Sequence, residues 1–345
     1  MKKIFLALIV LLGIISTILP DKSFSDGENR LLQTFPNSDI LSGQFMQDMD
    51  SYLTDQFVGR DQFLQTKTYL EKFMLKKCIN NVFITDNRLF NRYSEADFNI
   101  TQIEKNIKYT NSFVNKYNAK VFLIPNSYEV YSEELPFYCD NLELNHYFTS
   151  LKNVNIMDSL MNEHKDEYIY YNTDHHWTTL GAYYFYSQLV EDPIEYNPEL
   201  VDNEFLGTIH SKINIKFKYD SIFKHNSASK INVYYDMGKD NLGMYFDKYL
   251  EGKDKYSYFL DSNHAIVHFE NENAQTDKSI LVVKDSFSNC LAPFLAETYS
   301  NVYLVDLRYF NGNVDGLIKT LEIDEYYVIY NKVNFLQDEN LFKLN

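Results

Sequence analysis

Residues 279–345 alternate short apolar runs with helix-like segments, and this rhythm constrains the fold more than any other feature. Residues 279–284, 302–307 and 326–330 read as strands, with helices over 289–298 and 314–321 between them. Strands joined through helices run parallel with right-handed crossovers, and a parallel sheet has to be covered on both faces. The same pattern starts upstream. An amphipathic helix over 103–117 leads into a strand at 120–124 that Pro125 stops, followed by strands at 154–157 and 167–171 and an aromatic-rich helix over 178–190. These segments predict an α/β fold, a three-layer parallel sheet flanked by helices. Residues 192–277 are less periodic, with a strand signal at 231–235, and read as a less regular insertion or a β-rich excursion. Closer to the start, 27–36 is an extended lead-in, 48–77 is helical with a break near Gly59, and 81–90 is a short hairpin. Hydrophobic residues make up 45% of the 345, enough core for one large α/β domain, and disorder as the main state is excluded.

The chain opens with Met1-Lys2-Lys3, then an uncharged apolar run over 4–19 closed by Pro20 and Asp21. As a helix that run rises about 24 Å, short of the ~30 Å hydrocarbon core of a bilayer. Residues 1–25 are therefore expected to be a secretory signal peptide, with Ser23-Phe24-Ser25 as a cleavage site, or an uncleaved N-terminal membrane anchor through residues 4–20. Either way the body, residues 26–345, is expected outside the cytoplasm, at the cell surface or secreted. Lys and Arg total 32 against 48 Asp and Glu, a net charge of −16, which argues against nucleic acid or anionic lipid as the main partner. The 29 Tyr and 26 Phe fit AT-rich codon usage, with a few rings available to stack on sugars. Cys78, Cys139 and Cys290 are an odd set without metal-site spacing, and read as buried free thiols.

Ligands of parallel sheets collect at the carboxyl ends of strands. Two segments sit there: Asn172-Thr173-Asp174-His175-His176-Trp177-Thr178 and Lys284-Asp285-Ser286-Phe287-Ser288-Asn289. A serine at a strand–helix turn has an exposed hydroxyl and a backbone N–H placed where an oxyanion would form. It needs a histidine base, itself oriented by a carboxylate, and Asp174 and His176 come from one short segment. Taken singly, Ser286 and Asp174 read equally as helix caps, and His176 as a surface imidazole.

The run Thr173-Asp174-His175-His176-Trp177-Thr178-Thr179-Leu180-Gly181-Ala182-Tyr183 is similar to the signature of the DHHW family of bacterial exported proteins, which resembles the alginate O-acetylation proteins with their SGNH-hydrolase-like domain. The resemblance extends to Glu28-Asn29-Arg30, Asp55-Gln56-Phe57-Val58-Gly59-Arg60, Pro125, Lys284-Asp285-Ser286-Phe287 and Asp306-Leu307-Arg308-Tyr309-Phe310. It implies a catalytic triad of Ser286, His176 and Asp174. The serine follows the Asp/His block, the reverse of ordinary SGNH enzymes, so the implied fold is circularly permuted. Lys284 stands where the SGNH pattern has glycine. Asn331 or Asn334, near the end of the 326–330 strand, and the rival Asn263 are the implied oxyanion donors. Arg308 is expected either to bind an acyl carbonyl or sugar carboxylate or to pair with Asp306; Trp177 either packs or, with Tyr309, forms a sugar platform. The Asp-x-His spacing selects His176 over His175. A zinc site of His175, His176 and His264 lacks helical spacing and cysteine ligands, so no metal and no cofactor are expected.

The resemblance thus implies an extracytoplasmic serine enzyme that transfers acetyl to, or hydrolyses esters from, a cell-surface or secreted polysaccharide. A membrane-bound acyltransferase would supply the acetyl groups. The alternative is a non-catalytic cell-envelope or polysaccharide-binding protein that keeps the fold.

Overall fold

The computed structural model describes residues 2–25, 27–136 and 142–345; Cys139 lies outside them. Among the described residues, seven strands form the central sheet: β1 (Lys120–Ile124), β2 (Val154–Ile156), β3 (Asn232–Tyr235), β4 (Ile266–Glu270), β5 (Thr276–Lys284), β6 (Tyr299–Val305) and β7 (Glu325–Asn331). Their order across the sheet is β3-β4-β6-β5-β7-β1-β2. From β6 to β2 every pairing is parallel, whereas β4 runs antiparallel to both β6 and β3.

The helices used below are α1 (Lys2–Ile18), α2 (Gln44–Asp55), α3 (Arg60–Phe73), α4 (Ile100–Tyr117), α5 (Thr179–Leu189), α6 (Ala292–Thr298), α7 (Val314–Ile318) and α8 (Lys332–Gln337), with further short helices and turns between them. Alternation along the strands divides the core in two. Ile280 and Val282 of β5 join Val302, Leu304, Ile329 and Phe122 under α5 and α6. Leu281 and Val283 join Val305, Val328, Val121 and Leu123 under α4, α7 and α8. Because β5 is covered on both faces, its Ile280–Val283 run is continuously apolar and fully buried. The three layers expected from the strand–helix rhythm are present.

Expectations at three places are corrected or sharpened. Residues 167–171 are not a strand: the segment is irregular, joins no sheet, and has an isolated Tyr170–Trp177 bridge in place of a ladder. Its apolar run reflects burial of Ile169, Tyr170 and Tyr171 as packing side chains, and a short apolar run does not by itself distinguish a core loop from a strand. Residues 192–277 are only partly an insertion. They contain an antiparallel pair, Pro198–Phe205 with Asp220–His225, but also supply β3 and β4, which make the sheet mixed and cover the edge of β6. The helix expected over 289–298 is a 3-10 turn, Ser286–Asn289, followed by α6.

At the N-terminal end, Gly59 takes φ 74°, a left-handed value that suits glycine, and breaks the helical stretch into α2 and α3. The Glu28/Arg30 and Asp55/Arg60 motif pieces come together there. Arg30 grips the Asp55 carboxylate with two hydrogen bonds (2.6 and 2.9 Å), and Arg60 Nη1 lies 2.7 Å from Glu28 Oε2. Among the described residues no helix is long and apolar enough to cross a membrane. Cys78 and Cys290 are free thiols.

The central position of β5 gives a stability prediction. Leu281→Ala should lower the unfolding free energy by about 2–5 kcal/mol in urea titration, whereas Leu200→Ala at an exposed site should change it by about 0.5 kcal/mol or less.

Candidate active site

Strands β5, β7 and β1 end on the same edge of the sheet, with Asn331 paired to Ile124 and Lys284 to Ile329. The chain leaves β5 at Asp285, whose buried carboxylate holds this edge together. Asp285 Oδ1 accepts from Phe287 N (3.0 Å), capping the 3-10 turn that Ser286 opens. Its Oδ2 accepts from Asn331 N (2.8 Å) and Asn334 Nδ2 (2.7 Å). Burial pushes the Asp285 pKa up, and these donors work against the rise.

The second segment reaches Ser286 from the irregular loop before α5. His176 Nε2 lies 2.8 Å from Ser286 Oγ, and His176 Nδ1 lies 2.6 Å from Asp174 Oδ1. With Nδ1–H donating to the carboxylate, Nε2 carries the lone pair that accepts the serine hydroxyl. Asp174 Oδ1 also accepts from His176 N (3.0 Å), and Oδ2 accepts from Thr208 N (2.7 Å) and Thr208 Oγ1 (2.9 Å). Burial works against the Asp174 charge, but the His175 and His176 imidazoles and the donors from His176 and Thr208 hold its pKa well below the usual carboxylate range. Asp174 and His176 are buried, and Ser286 is 8% exposed.

Several residues that brace this line were not legible in the sequence. The Tyr256 ring stacks on His176 at 3.7 Å between centroids, and its hydroxyl donates to Ser286 O (3.0 Å). Asp220 accepts from Asn172 N, Thr173 N and Thr173 Oγ1, which fixes the loop just before Asp174. Gly207 packs so closely that a Cβ there would overlap the Asp174 side chain. Tyr256, Asp220, Gly207 and Thr208 all come from the aperiodic 192–277 stretch. The one available signal was Gly207-Thr208 itself, in a chain with only 11 glycines.

The other expected residues are placed as follows. Trp177 is fully buried and donates to Phe287 O (2.8 Å), so it packs beneath the serine turn and is no sugar platform. Asn331 is a helix cap: its Oδ1 accepts from Val333 N and Asn334 N, and its Nδ2 is held by Ile124 O. Asn334 is committed to Asp285. Neither side chain is hydrogen-bonded to Ser286. Arg308 forms a two-pronged ion pair with Asp306 (2.9 and 2.6 Å) and also reaches Asn263 Oδ1 (3.4 Å). Lys284 is buried, with Nζ 2.6 Å from Asn289 Oδ1 and 3.5 Å from Asp306 Oδ2. Burial lowers its pKa, and Asp306 opposes that shift. Lys284 therefore bridges the start and end of the serine turn. Tyr309 is half exposed and lines a cleft of about 440 Å³ with Asn263 and His264. Arg308, Asn334 and Asp285 line another of about 310 Å³. A larger cavity, about 1160 Å³, is lined by none of Asp174, His176 and Ser286.

His175 turns away from Ser286, with Nδ1 2.7 Å from Thr208 Oγ1. Asp174, His175 and His176 have potential ligand atoms within 4.8 Å of one another, but the Asp174 oxygens are already engaged by His176 and Thr208. His264 pairs with Asp236 (2.9 Å).

Residues 143–305 match the DHHW protein family. The DHHW segment contains Asp174, His176 and Ser286. The crystal structure of a DHHW family protein from Eubacterium siraeum has the same fold, with TM-score 0.62 at 23% identity over 77% of this chain and 95% of that one. Bacillus cereus PatB1 with a sulfonyl adduct gives TM-score 0.60 at 21% identity over 76% of this chain and 98% of that one. The O-acetyltransferase domain of Pseudomonas putida AlgJ is more distant, with TM-score 0.43 at 15% identity, covering 77% and 95%. No curated protein matches the chain in sequence.

Two predictions follow from the Asp174 environment. Gly207→Ala should displace the Asp174 carboxylate and lengthen the His176–Ser286 contact; a crystal structure of the variant with both contacts unchanged would contradict the packing. Asp174 has its pKa depressed on folding, so its charge stabilises the protein above the unfolded pKa of ~4, and that contribution is lost as pH falls below ~4. The wild-type advantage over Asp174→Asn in urea unfolding should therefore be present at about pH 6 and shrink toward about pH 3. A constant difference would refute the assignment.

Proposed function

We propose that this protein is an extracytoplasmic serine enzyme that moves acetyl groups to or from hydroxyls of a cell-surface or secreted polysaccharide. The observation that carries the reading is the continuous line from Asp174 through His176 to Ser286, at 2.6 and 2.8 Å. A caps-only arrangement would not require the serine hydroxyl to meet the one imidazole nitrogen left free by the carboxylate.

In the first half-reaction Ser286 Oγ attacks the acetyl carbonyl carbon while His176 Nε2 takes the hydroxyl proton. Asp174 holds the tautomer and stabilises the imidazolium. The carbonyl oxygen becomes an oxyanion facing the Ser286 N–H, since the Phe287 N–H is spent on Asp285. His176 then returns the proton to the departing oxygen as its bond to the acetyl carbon breaks, leaving acetyl-Ser286. In the second half-reaction a sugar hydroxyl gives its proton to His176 and attacks the acetyl carbon, and Ser286 Oγ recovers the proton. Water in place of the sugar hydroxyl would complete the same steps as an esterase. The acetyl donor is assigned to a membrane-bound acyltransferase acting from the other side of the membrane. The sulfonyl adduct in PatB1, a protein of the same fold, is the kind of mark an activated hydroxyl leaves with a sulfonylating reagent.

The test is acetate release from a chromogenic acetyl ester, with and without a polysaccharide acceptor. Ser286→Ala should reduce turnover by about 10⁴-fold or more. Equal rates for wild type and Ser286→Ala would leave a polysaccharide-binding protein as the better description.

A further inference from the structure

Helix α3 carries a surface that the Ser286 site does not use. Phe63, Leu70, Phe73 and Met74 follow helical spacing on one side, with Leu75 in the turn beyond, while Thr68 points inward. Their exposures are 55, 57, 84, 70 and 82%. A row of large apolar side chains left in water marks a contact surface. Its surroundings are basic: residues 60–77 hold five Lys or Arg against two Asp or Glu, in a chain of net charge −16. Lys67 is exposed on the same side of α3 as the apolar row, and Lys76 and Lys77 are exposed just beyond its end.

A second apolar element is tied to the same corner. α1 begins with Lys2 and Lys3 and exposes Ile4, Val10, Leu11, Ile14 and Ile18. Its end is fastened to the α2–α3 junction, where Val58 N donates to Ser16 Oγ (2.8 Å) and Tyr52 Oη donates to Asp21 Oδ1 (2.9 Å). Lys22 N donates to Gln56 Oε1 (2.9 Å) just beyond it.

We propose that the outer face of α3, together with α1 fastened near its N-terminal end, lies in the interface of an anionic lipid bilayer and sets the orientation of the Ser286 domain on the membrane. Apolar rings flanked by lysines suit a headgroup–acyl boundary, where the rings enter the chains and the ammonium groups stay at the phosphates. The acidic remainder of the molecule does not prevent this contact, because charges more than ~8–10 Å from the surface are screened at physiological salt. That acidity disfavours other orientations. The inference does not depend on the chemistry assigned to Ser286.

The test uses the full chain carrying Phe73→Trp, mixed with phosphatidylglycerol/phosphatidylcholine vesicles whose acyl chains are brominated. Trp177 is buried and gives a constant background. The Phe73→Trp emission should shift to the blue and be quenched, while Phe342→Trp, an exposed position in the last turn of the chain, should do neither. Lys67→Gln/Lys77→Gln should weaken vesicle binding at least about tenfold, and phosphatidylcholine alone should bind more weakly than the anionic mixture. The proposal fails if the chain does not sediment with vesicles. It also fails if the chain sediments with Phe73→Trp unquenched, the outcome expected if α1 alone tethers it or if α3 serves a protein partner. Equal quenching at Phe342→Trp would overturn it as well.

Discussion

A charge removed from water has to be surrounded by donors, and the site is organised around two buried carboxylates that meet this demand. Asp174 takes four hydrogen bonds, two from His176 and two from Thr208. Asp285 draws its donors from Phe287, Asn331 and Asn334. The first set fixes the imidazole; the second fixes the serine turn to the ends of β5 and β7. The 2.8 Å contact between His176 and Ser286 is where these two assemblies meet.

Asp174 and Asp285 are equally buried, but their partners differ in a way that serves the proposed chemistry. Asp174 is driven toward the charged form by its donors, whereas Asp285 is pushed by desolvation toward the neutral form. Behind the turn, Lys284, Asn289, Asp306 and Arg308 form a linked polar group that reaches Asn263 at the edge of a cleft. The Lys284 side chain thus ties the end of the turn, at Asn289, to Asp306 beyond β6. Trp177 and Tyr256 support the same turn through Phe287 O and Ser286 O.

The legible and illegible parts of the fold separate along physical lines. Strands β5, β6 and β7 could be read because both faces of the sheet are buried and their central runs, Ile280–Val283, Val302–Val305 and Tyr326–Tyr330, are apolar without interruption. Asp174, His176 and Ser286 could be read because each follows an extended or buried segment and precedes a helix or turn, with Asp174 and His176 only two residues apart. The supports from 192–277 could not. Tyr256, Thr208 and Asp220 act through contacts that cross tens of residues, and no local periodicity encodes them. Residues 167–171 misled for the opposite reason, since a buried loop and a buried strand share one composition. Asn331 and Asn334 sit near the predicted strand end, but their amides serve the cap of α8 and Asp285 rather than the hydroxyl.

The central claim is that Ser286 carries the acyl group between donor and acceptor. Rapid acid quench of the wild-type protein during turnover of an acetyl ester, followed by peptide mass spectrometry, tests it most directly. The account predicts a transient increment of one acetyl group on the peptide containing Ser286, abolished by adding an acceptor polysaccharide that drains the intermediate and absent in His176→Ala. Turnover that continues with the acetyl group on another residue, or with no covalent intermediate at any quench time, would contradict it.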